Sequence, residues 1–266
     1  MDYTSVFNAI VMGIVEGVTE FLPVSSTGHL ILTAKFLGMI ESEVFEVVIQ
    51  TGAILAVILL YFAKLWSTLV GITHDKVAQK FALSVTIAFI PAAILGLLFS
   101  DYITAYLFNP TVVCVSLVVG GLLMLLVERI KPAPAMHTVD DLTLATALKI
   151  GLFQCIAMIP GVSRSGATII GATLLGVDRK AAAEFSFYLA IPTLIGAGVL
   201  VLYRDFHVLE ATDFQAMAVG LVASFITAVI VIKAFIAWLT KHTFAIFAWY
   251  RIIAGLTMLV LFRIYA

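Results

Sequence analysis

Apolar residues run along this chain in blocks of nearly one length, separated by short polar connections. Residues 47–63, 81–100, 111–127, 185–203 and 214–232 contain no Asp, Glu, Lys or Arg. Each approaches the roughly 20 residues that carry a helix across a bilayer. A sixth block, 244–262, is interrupted only by Arg251, placed close enough to one end for its guanidinium to snorkel toward the headgroups. None of the blocks alternates apolar and polar positions with period two, so a β-barrel is excluded. The pattern predicts an all-α integral membrane protein with six spanning helices.

Two polar runs break this pattern: EGVTEFLPVSSTGH at residues 16–29 and PGVSRSGAT at 160–168. Ionisable groups flanked by apolar residues at membrane depth mark a functional site. The two runs also sit at matching places in an internal repeat. Sliding the chain by 138 residues aligns Gly13 with Gly151, Val24 with Val162, Ser25 with Ser163, Gly28 with Gly166, Gly38 with Gly176 and Glu46 with Glu184. The repeat divides the chain into residues 1–132 and 145–266, one structural domain joined through the polar linker KPAPAMHTVDD (131–141).

Charge in the connections sets the orientation of each half. Lys64, Lys76 and Lys80, then Arg129, Lys131 and Lys149, then Arg179 and Lys180, then Lys233 and Lys241 fall in four connections, which are cytoplasmic by the positive-inside rule. The connections 38–46 and 101–110 carry Glu41, Glu43, Glu46 and Asp101 without a basic residue, and 204–213 has one Arg among three acids, so these read as external. Alternation then requires residues 5–37 to enter and leave on the outer side and 145–177 on the inner side. Each becomes a re-entrant helix hairpin with a Pro/Gly/Ser tip, and the whole an inverted-topology repeat whose tips meet near the midplane. On length alone, 5–15 and 21–37 also read as two short spans.

Glu16 and Glu20, at i and i+4, share a helix face and can hold a hard divalent cation, Mg²⁺ or Ca²⁺, or share a proton. Ser25, Ser26 and Thr27 at the first tip offer hydroxyls and backbone donors to phosphate oxygens, and His29 adds an acid or base. At the second tip Arg164 takes the register of Ser26, flanked by Ser163, Ser165, Gly166 and Thr168. A guanidinium among hydroxyls grips phosphate bidentately. One tip is acidic and nucleophilic, the other basic and binding, which a symmetric ion pathway does not need. Ser26 is the favoured attacking oxygen, assisted by His29 or Glu20; a phosphohistidine at His29 and direct attack by water stay open.

The formal net charge of −1 gives no case for nucleic acid as a partner. Cys114 and Cys155 lie in apolar stretches and fit packing better than a disulfide or a metal cluster. The start, MDYTSVFNAI, lacks a basic region, which argues against a cleaved signal peptide.

Together the two motifs, with FEVVIQTGAILAV (45–57) and AAEFSFYLAIPT (182–193), resemble the bacterial undecaprenyl pyrophosphate phosphatase family, the integral-membrane type linked to bacitracin resistance. The resemblance covers essentially the whole chain. It implies hydrolysis of the C55 isoprenoid pyrophosphate to the monophosphate carrier, divalent-metal support, an outward-facing site in the bacterial cytoplasmic membrane, and a place in peptidoglycan lipid recycling. By motif it implies Glu16, Glu20, Ser26 and His29 as catalytic or metal-holding positions, with Arg164, Ser163, Ser165 and Thr168 on the pyrophosphate. A secondary transporter or flippase of a lipid phosphate is the rival reading of the same repeat. The sequence leaves a homodimer open.

Overall fold

The computed structural model describes residues 3–39, 43–205 and 213–265, and these are helical apart from connections and one isolated bridge between Met136 and Val177. The helices run α1 (Tyr3–Thr19), α2 (Ser26–Leu37), α3 (Glu43–Leu60), α4 (Phe62–Gly71), α5 (Lys76–Leu107), α6 (Pro110–Ile130), α7 (Leu144–Ile156), α8 (Arg164–Leu174), α9 (Arg179–Asp205), α10 (Asp213–Leu239) and α11 (Ala245–Tyr265). Among the described residues α3, α5, α6, α9, α10 and α11 are long and apolar enough to cross a membrane, and they cover the six apolar blocks one for one. Polar caps set their ends: Asp75 accepts from the Val77 N–H before α5, and Asn109 accepts from the Val112 N–H before α6, whose first residue is Pro110. The connection that carries Lys64, Lys76 and Lys80 is partly helical: α4 is a short helix with Thr68 and Gly71 buried and Trp66 and Leu69 exposed.

Four of the shorter helices form two units, α1–turn–α2 and α7–turn–α8. Helix α1 lies against α10, and α7 against α5. Both contacts depend on glycine. A Cβ at Gly13 would come 2.3 Å from the Gly220 carbonyl oxygen, and one at Gly151 would come 2.4 Å from that of Ala88. Backbones meet directly there, as in membrane helices packed through small residues. The aligned pair Gly13 and Gly151 thus performs one task in both halves. Helix α6 pairs with α11, and α3 packs on α9 and α10.

The interior is aromatic around the turns: Phe21, Phe185, Phe187 and Phe244 are fully buried. The outside is also apolar, with Leu97 70% and Leu98 67% exposed, as a lipid-facing surface requires. Connections grouped by their basic residues touch one another at one end. Lys64 Nζ lies 2.6 Å from Asp140 Oδ1, Lys80 Nζ donates to the Asp140 carbonyl at 2.8 Å, and Glu128 accepts from Arg179, Lys131 and the Phe244 N–H. At the acidic end Arg204 pairs with Asp101 at 3.1 Å. Glu41 and residues 206–212 of the acidic connections lie outside the described residues. Cys114 is buried in packing and Cys155 is half-buried, both as free thiols.

One expectation is overturned. Arg251 does not snorkel; it is 1% exposed and heads the fully buried side chains by size. Its backbone partners, described below, lie inside the protein and hold it there.

Candidate active site

Helix α1 ends at Thr19, yet the Glu20 N–H still bonds the Glu16 carbonyl at 2.9 Å. The two carboxylates therefore keep their helical i,i+4 relation at the lip of the turn. The chain then reverses and α2 starts at Ser26. Ser25 (φ 72°) and Ser163 (φ 74°) are the non-glycine residues with positive φ among those described. Each caps its helix: Ser25 Oγ accepts from the Gly28 N–H at 3.5 Å and Ser163 Oγ from the Gly166 N–H at 3.0 Å. Left-handed backbone at a residue with a Cβ is strained, and it recurs here at the same register of both turns.

Glu20 joins the two turns. Ser26 Oγ donates to Glu20 Oε2 at 2.6 Å, and Arg164 Nη2 donates to Glu20 Oε1 at 3.0 Å. Both side chains of the pair are largely buried, so this ion pair is shielded from solvent screening. Arg164 Nη1 is fixed by the Ser186 carbonyl at 2.9 Å and the Ser186 hydroxyl at 3.2 Å, and its guanidinium lies 5.9 Å from the Phe21 ring centroid. Ser26 and Arg164, separated by 138 residues, thus bond one carboxylate.

The remaining hydroxyls of the second turn are engaged within the protein. Ser165 Oγ donates to the Leu22 carbonyl of the first turn at 2.8 Å and lies 3.1 Å from Ser163 Oγ. Thr168 Oγ1 donates to the Arg164 carbonyl at 2.9 Å and lies 2.7 Å from Ser186 Oγ. These groups hold Arg164 and tie the turns together. His29 is likewise occupied, with Nδ1 2.7 Å from the Ser25 carbonyl and Nε2 2.5 Å from the Tyr250 hydroxyl. The geometry brings Ser26 to Glu20 rather than to His29. Thr27 and Ser26 occupy the half-buried first turn of α2.

Three residues of the site were not singled out for it in the sequence. Ser186 lies inside the quoted AAEFSFYLAIPT stretch, but its register on α9 gives no sign of Arg164. Tyr250 reads as an ordinary aromatic. Arg251, read as snorkelling, instead donates to the carbonyls of Pro23 (3.1 Å), Gly161 (2.9 Å), Val162 (2.9 Å), Ser116 (3.2 Å) and Leu117 (3.4 Å). All five of its N–H groups are used. Pro23 and Gly161 occupy the same register of the two turns, so one guanidinium clamps equivalent carbonyls. Gly120 makes the space: a Cβ there would lie 2.2 Å from Arg251 Nη2.

Ionisable side chains with unpartnered buried atoms flank this network. Both Glu16 carboxylate oxygens and Arg164 Nε are buried and make no hydrogen bond. Buried charged groups are normally paired, and an unpaired pair of oxygens fits a hard cation. No group of three or more His, Cys, Asp or Glu placed to hold a metal occurs among the described residues. The donor set therefore suits an ion that takes one or two carboxylates and completes its shell with phosphate and water oxygens, the habit of Mg²⁺.

Residues 9–257 match the family described as bacitracin resistance protein BacA. Proteins named undecaprenyl-diphosphatase from Rhodopseudomonas palustris (strain BisB18), Acidovorax ebreus (strain TPSY) and Polaromonas sp. (strain JS666 / ATCC BAA-500) are 51%, 52% and 52% identical to it. The matches cover 95%, 98% and 97% of this chain and 95%, 96% and 96% of those proteins. With both motif turns joined through Glu20 and the match running almost end to end, the chain belongs to the bacitracin resistance protein BacA family.

Proposed function

We propose that this protein hydrolyses undecaprenyl pyrophosphate to undecaprenyl phosphate and inorganic phosphate in the bacterial cytoplasmic membrane, regenerating the lipid carrier of cell-wall synthesis. The observation that supports this reading best is the Ser26–Glu20–Arg164 chain of hydrogen bonds, which joins a hydroxyl, a carboxylate and a guanidinium in one site. Glu20 Oε2 takes the Ser26 proton as Oγ attacks the terminal phosphorus. The bond from that phosphorus to the bridging oxygen breaks, and undecaprenyl phosphate departs with the electron pair. Water then attacks the phosphoserine: the P–Oγ bond breaks, Glu20 returns its proton to Ser26 Oγ and takes one from the attacking water, and inorganic phosphate leaves. His29, with both ring nitrogens engaged, positions the turn.

Arg164 and the N-termini of α2 and α8, which both start at the site, oppose the developing negative charge. Ser163, Ser165, Thr168 and Ser186 orient Arg164, while Ser25 and Gly166 shape the two turns that present the N–H groups. A divalent cation at Glu16, shared with Glu20, would neutralise charge on the transferred phosphoryl group. Glu16→Gln is expected to raise the Mg²⁺ concentration for half-maximal activity at least about tenfold, by removing a carboxylate ligand. A loss of activity at unchanged metal dependence would instead assign Glu16 to proton transfer.

The architecture that suits this chemistry is an inverted-topology repeat with two re-entrant hairpins, α1–α2 from the outer side and α7–α8 from the inner. The matched Gly13 and Gly151 contacts, the matched Ser25 and Ser163 caps and the gathering of basic connections at one end support it. Between the site and that end lies a run of edge-to-face aromatic contacts, Phe21 with Phe187 at 5.3 Å and Tyr61 with Tyr188 at 5.0 Å, in keeping with a site that opens outward. In a Cys-free background, Ser67→Cys should react only from the cytoplasmic side and Asp101→Cys only from the outer side; labelling of both from one side contradicts this topology.

The activity is tested by phosphate release from a prenyl pyrophosphate by detergent-purified protein. Release that requires a divalent ion is expected. Absence of release, with movement of the lipid across proteoliposome membranes, would favour transport.

A further inference from the structure

We propose that an apolar cavity beside the catalytic turn binds the first three to four isoprene units of the substrate, and that Tyr250 joins this cavity to the turn. The inference rests on the hydrolase reading and says where on this chain the tail is recognised. The cavity measures about 540 Å³ and lies between α1 with its turn (Thr19, Leu22), α10 (Val231, Ala234, Trp238) and α11 (Tyr250).

Its continuity with the site is direct. Thr19 and Leu22 flank Glu20 in the chain, and the Leu22 carbonyl accepts from Ser165. The Tyr250 ring lines the cavity while its hydroxyl meets His29 Nε2 at 2.5 Å, the two rings stacked with centroids 5.6 Å apart. Tyr250 is 46% exposed and Ile246, also in the lining, 61% exposed, so the wall opens sideways to lipid. A pyrophosphate held at Ser26 and Arg164 therefore has apolar space within a turn of helix for the carbons attached to it. That space is finite. With each carbon occupying roughly the 30 Å³ that a water molecule takes in the liquid, the cavity holds on the order of 18 carbons. The rest of a C55 chain lies in the bilayer, and the enzyme discriminates tail length only up to about C20.

The test uses purified wild-type protein and Ala234→Trp in mixed micelles at fixed detergent, with C5, C20 and C55 prenyl pyrophosphates dosed by mole fraction. Ala234 is exposed to lipid at the cavity wall, so an indole fits there without entering the packed interior. Ala237→Trp, on the same helix, exposed and outside the lining, is the control. For the wild type, KM should fall at least tenfold from C5 to C20 and less than threefold from C20 to C55. Ala234→Trp should raise KM for the C20 substrate at least tenfold more than it raises KM for C5, while Ala237→Trp changes neither. A steady fall in KM through C55, wild-type handling of C20 by Ala234→Trp, or an equal loss on C5 and C20 would each overturn the assignment. The wild-type profile decides the matter even where the variant fails to fold. If the wild type hydrolyses none of the three substrates, the hydrolase reading itself falls, and the cavity assignment with it.

Discussion

Ser26→Ala is expected to lower kcat on a prenyl pyrophosphate by on the order of 10³-fold or more, the scale seen when an attacking group is removed, with KM within threefold of wild type. The substitution deletes the donor of the 2.6 Å bond to Glu20 and nothing else that touches the turn, because Ser25 rather than Ser26 caps α2. Arg164 and the carboxylates stay in place, so binding survives the loss of turnover. Steady-state phosphate release together with equilibrium binding of a non-hydrolysable prenyl pyrophosphate separates the two. Retention of more than a tenth of wild-type kcat would mean that water attacks directly, with Glu20 activating it.

Arg251→Met should be the most damaging substitution to structure and activity together. It keeps an unbranched apolar stem and removes five donors, leaving the Pro23, Gly161 and Val162 carbonyls of the two turns without their guanidinium partner in a buried place. One unsatisfied buried acceptor costs about 1–3 kcal/mol. The combined loss is expected to exceed about 3 kcal/mol, which for a chain of this size corresponds to a fall in melting temperature of about 6 °C or more. Arg251→Lys supplies three donors from a point rather than five from a plane. It should recover part of the thermal stability while kcat stays at least tenfold down, since an ammonium cannot clamp Pro23 and Gly161 at once. Thermal unfolding in detergent and kcat, measured on both variants, check this. Wild-type kcat in Arg251→Lys would show that the clamp does not govern the register of the turns.

The six spans were legible because each is an uninterrupted apolar run, and hydropathy decides such a segment whatever surrounds it. The approach of Ser26 and Arg164 was legible from register, because a repeat that brings matching turns together also brings their differences together; the Glu20–Arg164 ion pair was not, since Glu20 has no charged counterpart in that register. Ser186 and Tyr250 were not legible. A hydroxyl on an otherwise apolar helix has the same sequence signature whether it faces a guanidinium, a backbone carbonyl or a headgroup, and only the crossing of α9 and α11 past the turns decides it. Arg251 shows the same limit with a charge. A lone arginine near the end of an apolar block can reach outward to headgroups or inward to carbonyls, and the glycine at position 120 that makes room for it lies on another helix. The family motif assigns Ser163, Ser165 and Thr168 to the pyrophosphate. In the structure their hydroxyls bond neighbours that hold Arg164 or the opposing turn.

The central claim is that the two turns act as one unit on one substrate, with Glu20 between them. A double-mutant cycle on kcat/KM for a prenyl pyrophosphate, using Ser26→Ala, Arg164→Lys and the pair, measures this directly, because groups that act as a unit are strongly non-additive. Each single variant should lose at least about 10²-fold, and the double variant should be no more than about tenfold worse than the poorer single. Fully additive losses, or near-wild-type activity in Arg164→Lys, would contradict a shared site.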